Sequence, residues 1–265
     1  MAHLVAVFVL SVGCGGSSPS SPTSPGPSPT PSPTAGACDA LGGPAGPTLG
    51  ITNGVSCAPD NSAVVKLNLK DSGGDQVGYC TGTVIAARAV LTAAHCLDGD
   101  TASVKVFPGT GGQLDAVSFA AYPGYGGSGS IDVGVVLTSE DLPRSPMPLL
   151  GSRDPQVGEA AVAAGWGVDL NGIGPVAPRA GSTTISRVGS VLLETNYSST
   201  TSGVCSGDSG GPLLVSEGGV WTIAGVTSAT SQAGSCFGAT SYYTNVRNPA
   251  VRTFVLGLAP DAGLR

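Results

Sequence analysis

The chain is poor in charge, in aromatic rings and in histidine. Of its 265 residues, 11% are Asp, Glu, Lys or Arg and 5% are aromatic, and the only histidines are His3 and His95. Lys and Arg form no cluster, and the net charge is −6. Because nucleic-acid binding needs a basic surface, we expect no nucleic-acid partner.

Long apolar runs are also missing. The stretch from Leu4 to Val12 is far shorter than the about 20 residues of a transmembrane helix, so residues 1–13 predict a secretory signal segment. Residues 17–36 contain only Ser, Thr, Pro, Gly and Ala, which cannot bury a core. We interpret them as an extended linker that tethers a domain, with an unselected low-complexity tail as the alternative.

Seven cysteines favour disulfides over metal binding. No two are spaced C-x₂-C, and a single histidine lies outside the N-terminal segment. Disulfides indicate an oxidising compartment, and we predict neither a metal site nor a cofactor.

Short β-type runs follow one another, separated by Gly, Pro, Asp and Ser turns. This pattern predicts an all-β sandwich or barrel. The runs are residues 63–69, 81–85, 89–92, 103–107, 116–120, 133–137, 160–164, 183–193, 212–215 and 220–227. Asn248 and Pro249 are the start signals of a helix over residues 250–258.

The chemistry-bearing stretch is residues 205–212, Cys-Ser-Gly-Asp-Ser-Gly-Gly-Pro. Glycines allow a turn that exposes the Ser209 hydroxyl while backbone N–H groups point at the same spot, as a nucleophile beside an oxyanion hole requires. The alternative is a glycine-rich surface turn. A serine nucleophile needs a base, and His95 is the only imidazole beyond the N-terminal stretch. Taken alone, His95 would be better interpreted as a buried, hydrogen-bonded structural histidine.

Together, residues 80–96 and 205–212 resemble the histidine and nucleophile segments of the trypsin/chymotrypsin-like serine proteases, and the resemblance spans about residues 51–258. It implies two six-stranded antiparallel β-barrels with a C-terminal helix, and a serine endopeptidase acting on protein or peptide substrates. It also implies the disulfides Cys80–Cys96 and Cys205–Cys236. Cys38 and Cys57 remain as a third pair, and Cys14 is left over.

The third catalytic residue implied by the family is Asp132, which precedes the aliphatic run 133–137. A turn aspartate at a strand edge is the alternative reading, and Asp115, Asp141 and Asp154 compete in more polar or proline-flanked settings. Residues 207–211 also match the G-x-S-x-G elbow of α/β-hydrolases, but no histidine follows Ser209. A subtilisin-like order could use Asp71 or Asp75, yet the flanking sequences do not resemble that family.

The resemblance assigns further roles. The N–H groups of Gly207 and Ser209 would form the oxyanion hole. Gly203 would be the base of the primary specificity pocket, with Ser228 and Ser241 as other substrate-binding positions. Because Gly203 cannot pair with a cation, we expect small or medium apolar side chains before the cut rather than Arg or Lys.

Activation in this family frees the amine of an apolar residue, here Ile51, which pairs with the aspartate before the nucleophile, here Asp208. Leu-Gly precedes Ile51, with no Arg or Lys. Either another kind of protease cuts there, or the site forms without cleavage. A Cys38–Cys57 disulfide would hold the upstream segment on the domain after a cut.

Gly13-Cys14-Gly15-Gly16 resembles the bacterial lipobox. It implies a bacterial lipoprotein anchored through a lipid on Cys14, with plain signal cleavage as the alternative. The sequence thus predicts a signal segment (1–13), a Pro/Ser-rich linker and pro-segment (14–50) and a protease domain (51–265), secreted or held at the cell envelope. Rival functions are a catalytically silent binding module on the same fold and a plain esterase.

Overall fold

A computed structural model describes Met1 and residues 36–42, 51–168, 174, 176–232 and 236–265. The signal segment, Cys14 and nearly all of the linker lie outside the described residues. Within them, no helix has the length and apolar character needed to cross a membrane.

The first barrel is a closed ring of six antiparallel strands in the order β2-β3-β4-β7-β6-β5. Its core consists of inward-facing Val, Ile and Leu side chains, as expected for short runs of β-branched and aliphatic residues. The strands are β2 (Val64–Lys70), β3 (Gln76–Ala86), β4 (Ala89–Thr92), β5 (Ser103–Phe107), β6 (Leu114–Ala121) and β7 (Gly134–Thr138).

The second barrel closes because β8 pairs with both β9 and β11, which completes the ring β8-β9-β10-β13-β12-β11. The two-residue strand β1 (Val55–Ser56) extends this sheet by pairing with β9. The other strands are β8 (Ala160–Gly165), β9 (Arg179–Val188), β10 (Leu192–Asn196), β11 (Pro212–Glu217), β12 (Val220–Thr230) and β13 (Thr240–Asn245).

The chain ends in the helix α1 (Pro249–Leu258), which begins where the sequence signals place it. The Asn248 side chain accepts a hydrogen bond of 2.9 Å from the Ala250 N–H. Pro249 has no backbone N–H, and the first position of a helix needs none. The prediction of two six-stranded antiparallel barrels with a C-terminal helix is confirmed.

Two details of the strand prediction differ from the structure. The run 183–193 belongs to two strands, because a turn closed by the hydrogen bond from Gly189 N to Leu192 O separates β9 from β10. Strands β1 and β13 have no counterpart in the predicted runs.

A short 3₁₀ helix, Cys38–Leu41, packs on the second barrel upstream of Ile51. Ala37 and Cys38 are fully buried, and Leu41 is 2% exposed. Disulfides join Cys38 to Cys57, Cys80 to Cys96 and Cys205 to Cys236, the same pairs that the sequence suggests. The segment is therefore both packed on the barrel and covalently bound to it.

Candidate active site

His95 lies in a one-turn 3₁₀ helix, Ala94–Cys96, directly after β4. The neighbouring Cys96 is bonded to Cys80 on β3, which fixes this turn to the first barrel. The His95 side chain is 31% exposed, so one edge of the ring reaches the surface of the cleft.

Asp132 holds the inner edge of the His95 ring. Its Oδ2 is 2.7 Å from His95 Nδ1, and its Oδ1 accepts a 3.0 Å bond from the His95 backbone N–H. Ser228, from the second barrel, donates its hydroxyl to Oδ2 at 2.7 Å. Burial by itself would raise the pKa of Asp132, but the His95 side chain, its charge, the Ser228 hydroxyl and the His95 N–H together lower it. The carboxylate is therefore ionised, and it orients the imidazole.

Thr244 on β13 fixes the backbone of Asp132 from the other barrel. Its hydroxyl accepts from the Asp132 N–H at 3.1 Å and donates to the Asp132 carbonyl at 2.9 Å. Both side chains are buried. The second barrel thus positions an acidic residue that the first barrel contributes.

The turn that carries Ser209 is bound to the first barrel by its backbone. The Ser209 carbonyl accepts a 2.8 Å hydrogen bond from Thr81 N–H on β3, and it lies 3.9 Å from the sulfur of Cys96, next to His95. The Thr81 hydroxyl donates to the Gly207 carbonyl at 2.7 Å. These contacts hold the Ser209 and His95 segments next to each other where the two barrels meet.

Glycine is required at two positions of this turn. Gly207 and Gly210 have φ of +90° and +81°, in the left-handed region that other residues avoid. A Cβ at Gly210 would lie 2.1 Å from the Thr92 hydroxyl and 2.3 Å from the Thr81 carbonyl. The turn can approach the first barrel this closely only without side chains.

Two N–H groups of the turn are left available. Asp208, Gly210 and Gly211 donate theirs to backbone carbonyls. Among the described residues, the N–H groups of Gly207 and Ser209 form no hydrogen bond. A pair of unengaged donors beside a partly exposed serine is the arrangement that an oxyanion hole needs.

Asp208 is fully buried behind the turn. Its carboxylate accepts 2.8 Å bonds from the N–H groups of Gly167 and Cys205. Burial raises the pKa of Asp208 to about 6, although these two bonds and the positive charge of Arg179 act in the opposite direction. A Cβ at Gly165 would lie 2.2 Å from the carboxylate, which explains why glycines flank Trp166.

The expected specificity residues lie together. Gly203 is buried beside Tyr197, and it pairs with Thr52, next to Ile51. Ser241 is buried, and its hydroxyl accepts a 3.3 Å bond from the Val204 N–H. The sequence assigns Ser228 only to substrate binding. In the structure its hydroxyl also donates a hydrogen bond to the Asp132 carboxylate.

One group of potential metal ligands occurs among the described residues. Cys80, His95 and Cys96 have ligand atoms within 4.8 Å of one another. Both sulfurs are already joined in a disulfide, and a disulfide is not the thiolate ligand that zinc prefers. This cluster reflects the disulfide beside His95.

Comparison with known proteins shows the family of this chain. The family model for trypsin matches residues 51–251, and the chain therefore belongs to the trypsin family of serine proteases. Over 174 residues it is 31% identical to trypsin alpha of Drosophila melanogaster, covering 56% of this chain and 66% of that protein, slightly less than two thirds. Over 197 residues it is 30% identical to chymotrypsin of Phaedon cochleariae, covering 64% of this chain and 70% of that protein.

Sequence reasoning missed Thr81, Thr244 and Arg179. Arg179 is 4% exposed on β9, and its Nη1 donates to the Gly167 carbonyl at 3.1 Å. Threonine in a strand is ordinary, and a single arginine in a turn-rich stretch gives no signal. Their roles follow from which strands the barrels bring together.

Proposed function

We propose that this protein is a serine endopeptidase that cleaves peptide bonds through an acyl-enzyme, with His95, Asp132 and Ser209 as its catalytic triad. The observation that supports this most directly is the 2.7 Å bond between His95 Nδ1 and Asp132 Oδ2, made beside the Ser209 turn, whose carbonyl lies 3.9 Å from the Cys96 sulfur. The bond leaves Nε2 as the nitrogen that can serve Ser209.

In the proposed reaction, the Ser209 hydroxyl attacks the carbonyl carbon of the scissile bond while His95 accepts its proton. The His95 imidazolium then protonates the leaving amine, and an acyl-enzyme on Ser209 remains. Water, deprotonated by His95, hydrolyses the ester and regenerates the serine. Asp132 holds the imidazole tautomer throughout and stabilises its positive charge.

The N–H groups of Gly207 and Ser209 would bind the oxygen that becomes negative in each tetrahedral intermediate. Their lack of other partners among the described residues supports this role. Each such donor contributes about 3 kcal/mol to transition-state binding in related sites.

For specificity, we propose small or medium apolar side chains before the cut. Gly203 offers no carboxylate for Arg or Lys, and the Ser241 hydroxyl is already bonded to the Val204 N–H. Cleavage of a peptide library tests this assignment. Rapid cleavage after Arg or Lys would contradict it.

We propose two routes to the active site: either a protease that is not trypsin-like cuts before Ile51 and frees its amine, or the site forms without cleavage. Ile51 is fully buried, with its side chain beside Gly181 on β9. The Cys38–Cys57 disulfide would keep residues 36–42 on the domain after such a cut. Gels with and without reductant test this, and release of the upstream segment without reductant would contradict it.

We also propose that Cys14 carries a lipid, which would place the enzyme at the cell envelope of a bacterium; its only membrane contact would be that anchor. The six cysteines of the described residues are joined in three disulfides with one another, which supports a different use for the seventh. Mass spectrometry of the mature N-terminus separates lipidation from plain signal cleavage. A secreted, unlipidated protein would leave the catalytic proposal intact.

A fluorophosphonate probe tests the enzyme assignment. The protein should be labelled at Ser209, and Ser209→Ala should lose labelling together with on the order of 10⁶ of turnover. An unlabelled, folded protein would instead indicate a binding module. Hydrolysis of esters without hydrolysis of any peptide would indicate a plain esterase.

A further inference from the structure

Asp208 is a buried carboxylate with few donors. The structure is that of the uncut chain, so Ile51 carries no free amine, yet Asp208 is completely buried. Its hydrogen bonds come from two backbone N–H groups, those of Gly167 and Cys205. Burying an ionised carboxylate is costly unless a cation or several donors compensate.

Arg179 is the cation that the fold places near the buried Asp208 carboxylate. All eleven Lys and Arg residues lie in the described ranges, and Arg179 is the one that is buried. The Gly167 peptide connects the two groups: its N–H donates to Asp208 Oδ1 at 2.8 Å, and its carbonyl accepts from Arg179 Nη1 at 3.1 Å.

The strand register explains why the arginine lies near the carboxylate, although the two groups, both among the described residues, form no direct ion pair. Arg179 lies opposite Gly165 where β8 pairs with β9. Gly165 and Gly167 leave the space that the Asp208 carboxylate occupies, since a Cβ at either would lie within 2.5 Å of it. The Nε of Arg179 is buried and has no hydrogen-bond partner among the described residues. Such a position is costly for a guanidinium that serves packing alone.

We propose that the Arg179 guanidinium is the counter-charge of Asp208 in the uncut chain, so that the Gly207–Ser209 turn assembles without a new N-terminus at Ile51. This inference rests on the proposed serine-protease function and selects the cleavage-independent route. The absence of Lys and Arg before residue 66 is consistent with it, because a trypsin-like activator would find nothing to cut there. Arg179 acts here as a positioning residue through Asp208.

The test is the rate at which a fluorophosphonate labels the full, uncut chain, with intact mass showing that no cut has occurred. The uncut wild type should be labelled. Arg179→Met should slow labelling of the uncut chain about 100-fold, as loss of an oxyanion donor does, and Arg179→Lys should restore most of it. Arg179→Gln keeps hydrogen bonding without charge, so it should behave like Arg179→Met and serves if that variant does not fold.

Arg187→Met is the matched control on the same strand. Arg187 is exposed and pairs with Glu194, and its loss should leave labelling unchanged. Circular dichroism of each variant shows whether it is folded. If Arg179→Lys restores the labelling rate and Arg179→Gln does not, the positive charge of Arg179 is what the turn requires. A purely structural role would not depend on charge in this way.

A second protein separates this inference from the proposed function. In it, residues 47–50 are replaced by the recognition sequence of a site-specific protease that cuts directly before Ile51. If only the cut form is labelled, or if folded Arg179→Gln is labelled like the wild type, the inference is overturned while the serine protease remains. If neither form is labelled, the proposed function itself fails.

Discussion

Two aspartates lie buried beside the cleft, one from each barrel, and they are held by different kinds of donor. The Asp132 carboxylate accepts hydrogen bonds from the ring and the backbone N–H of His95 and from the Ser228 hydroxyl. The Asp208 carboxylate accepts hydrogen bonds from two backbone N–H groups and lies near Arg179. Burial opposes ionisation of both, yet the pKa of Asp132 is lowered and that of Asp208 is raised to about 6. The donors, more than the depth of burial, determine whether each is charged.

The largest expected effect comes from removing the charge of Asp132. Asp132→Asn keeps the shape but presents an amide to His95 Nδ1, which favours the wrong tautomer. We expect kcat for peptide hydrolysis to fall about 10⁴-fold, as in related triads, with thermal stability changed much less. A loss below tenfold would show that Asp132 is not the triad carboxylate.

Removing the charge of Asp208 should cost less. Asp208→Asn can accept only through its single amide oxygen, so one of the N–H groups of Gly167 and Cys205 loses its acceptor and the turn loosens. We expect kcat to fall about 10²- to 10³-fold, the range for loss of oxyanion stabilisation. Steady-state kinetics with a peptide substrate measures this change. An unchanged kcat would show that Asp208 does not support the oxyanion hole.

The pH dependence of stability should have opposite signs at the two aspartates. Asp208 binds its proton more tightly when folded, so its favourable contribution is complete below pH 3.8 and is lost as pH rises through about 6. That interval corresponds to on the order of 3 kcal/mol, at about 1.4 kcal/mol per pKa unit. Asp132 has a lowered pKa, so its contribution is present above pH 3.8 and is lost as pH falls through the folded value.

Urea unfolding of Ser209→Ala protein, which avoids self-digestion, measures this difference. Between pH 4 and pH 7, adding Asp208→Asn should become steadily less destabilising, whereas the effect of adding Asp132→Asn should stay nearly constant, because the contribution of Asp132 is already present above pH 3.8. Arg179, Tyr79 and Tyr243 interact electrostatically with Asp208, and the raised pKa values of Tyr79 and Tyr243 keep both phenols neutral over this range. The same pH trend in both variants would contradict the comparison.

The smallest effect is expected at Ser228. Ser228→Ala removes one donor from Asp132, which raises the pKa of that carboxyl and weakens its hold on His95. A hydrogen bond to a charged group contributes about 1.5 kcal/mol, so kcat should fall about tenfold. Ser139→Ala, on the exposed side of the first barrel, is the control and should change nothing.

The parts of the site that sequence could predict are those whose residues must be close along the chain. The glycines around Ser209, the cysteine after His95 and the aliphatic run after Asp132 each carry a local signal. Strand spacing by itself indicates an all-β sandwich or barrel, and the pair of barrels, which the resemblance to the trypsin family implies, is confirmed. The contacts of Thr81, Thr244 and Arg179 join residues that are far apart in sequence and depend on which strands pair across the barrels. No local pattern marks them.

The strand prediction missed two strands. Strand β13 (Thr240–Asn245) contains Tyr and Thr, which favour strands, but no aliphatic run marks it; it pairs with β10 and β12 in the sheet. Strand β1 has two residues and exists through its pairing with β9. At β1 the neighbouring strand, rather than local preference, decides the conformation.

The tight contact at Gly210 limits how this protein could be engineered. No amino acid with a side chain fits at position 210, and Gly211 is equally close to the Ala164 carbonyl. Ser206, three residues before the nucleophile, is exposed. In a directed-evolution experiment on substrate preference, substitutions at positions 210 and 211 would therefore disrupt the contact between the barrels. A library at position 206 would vary an exposed residue near Ser209 without disturbing that contact.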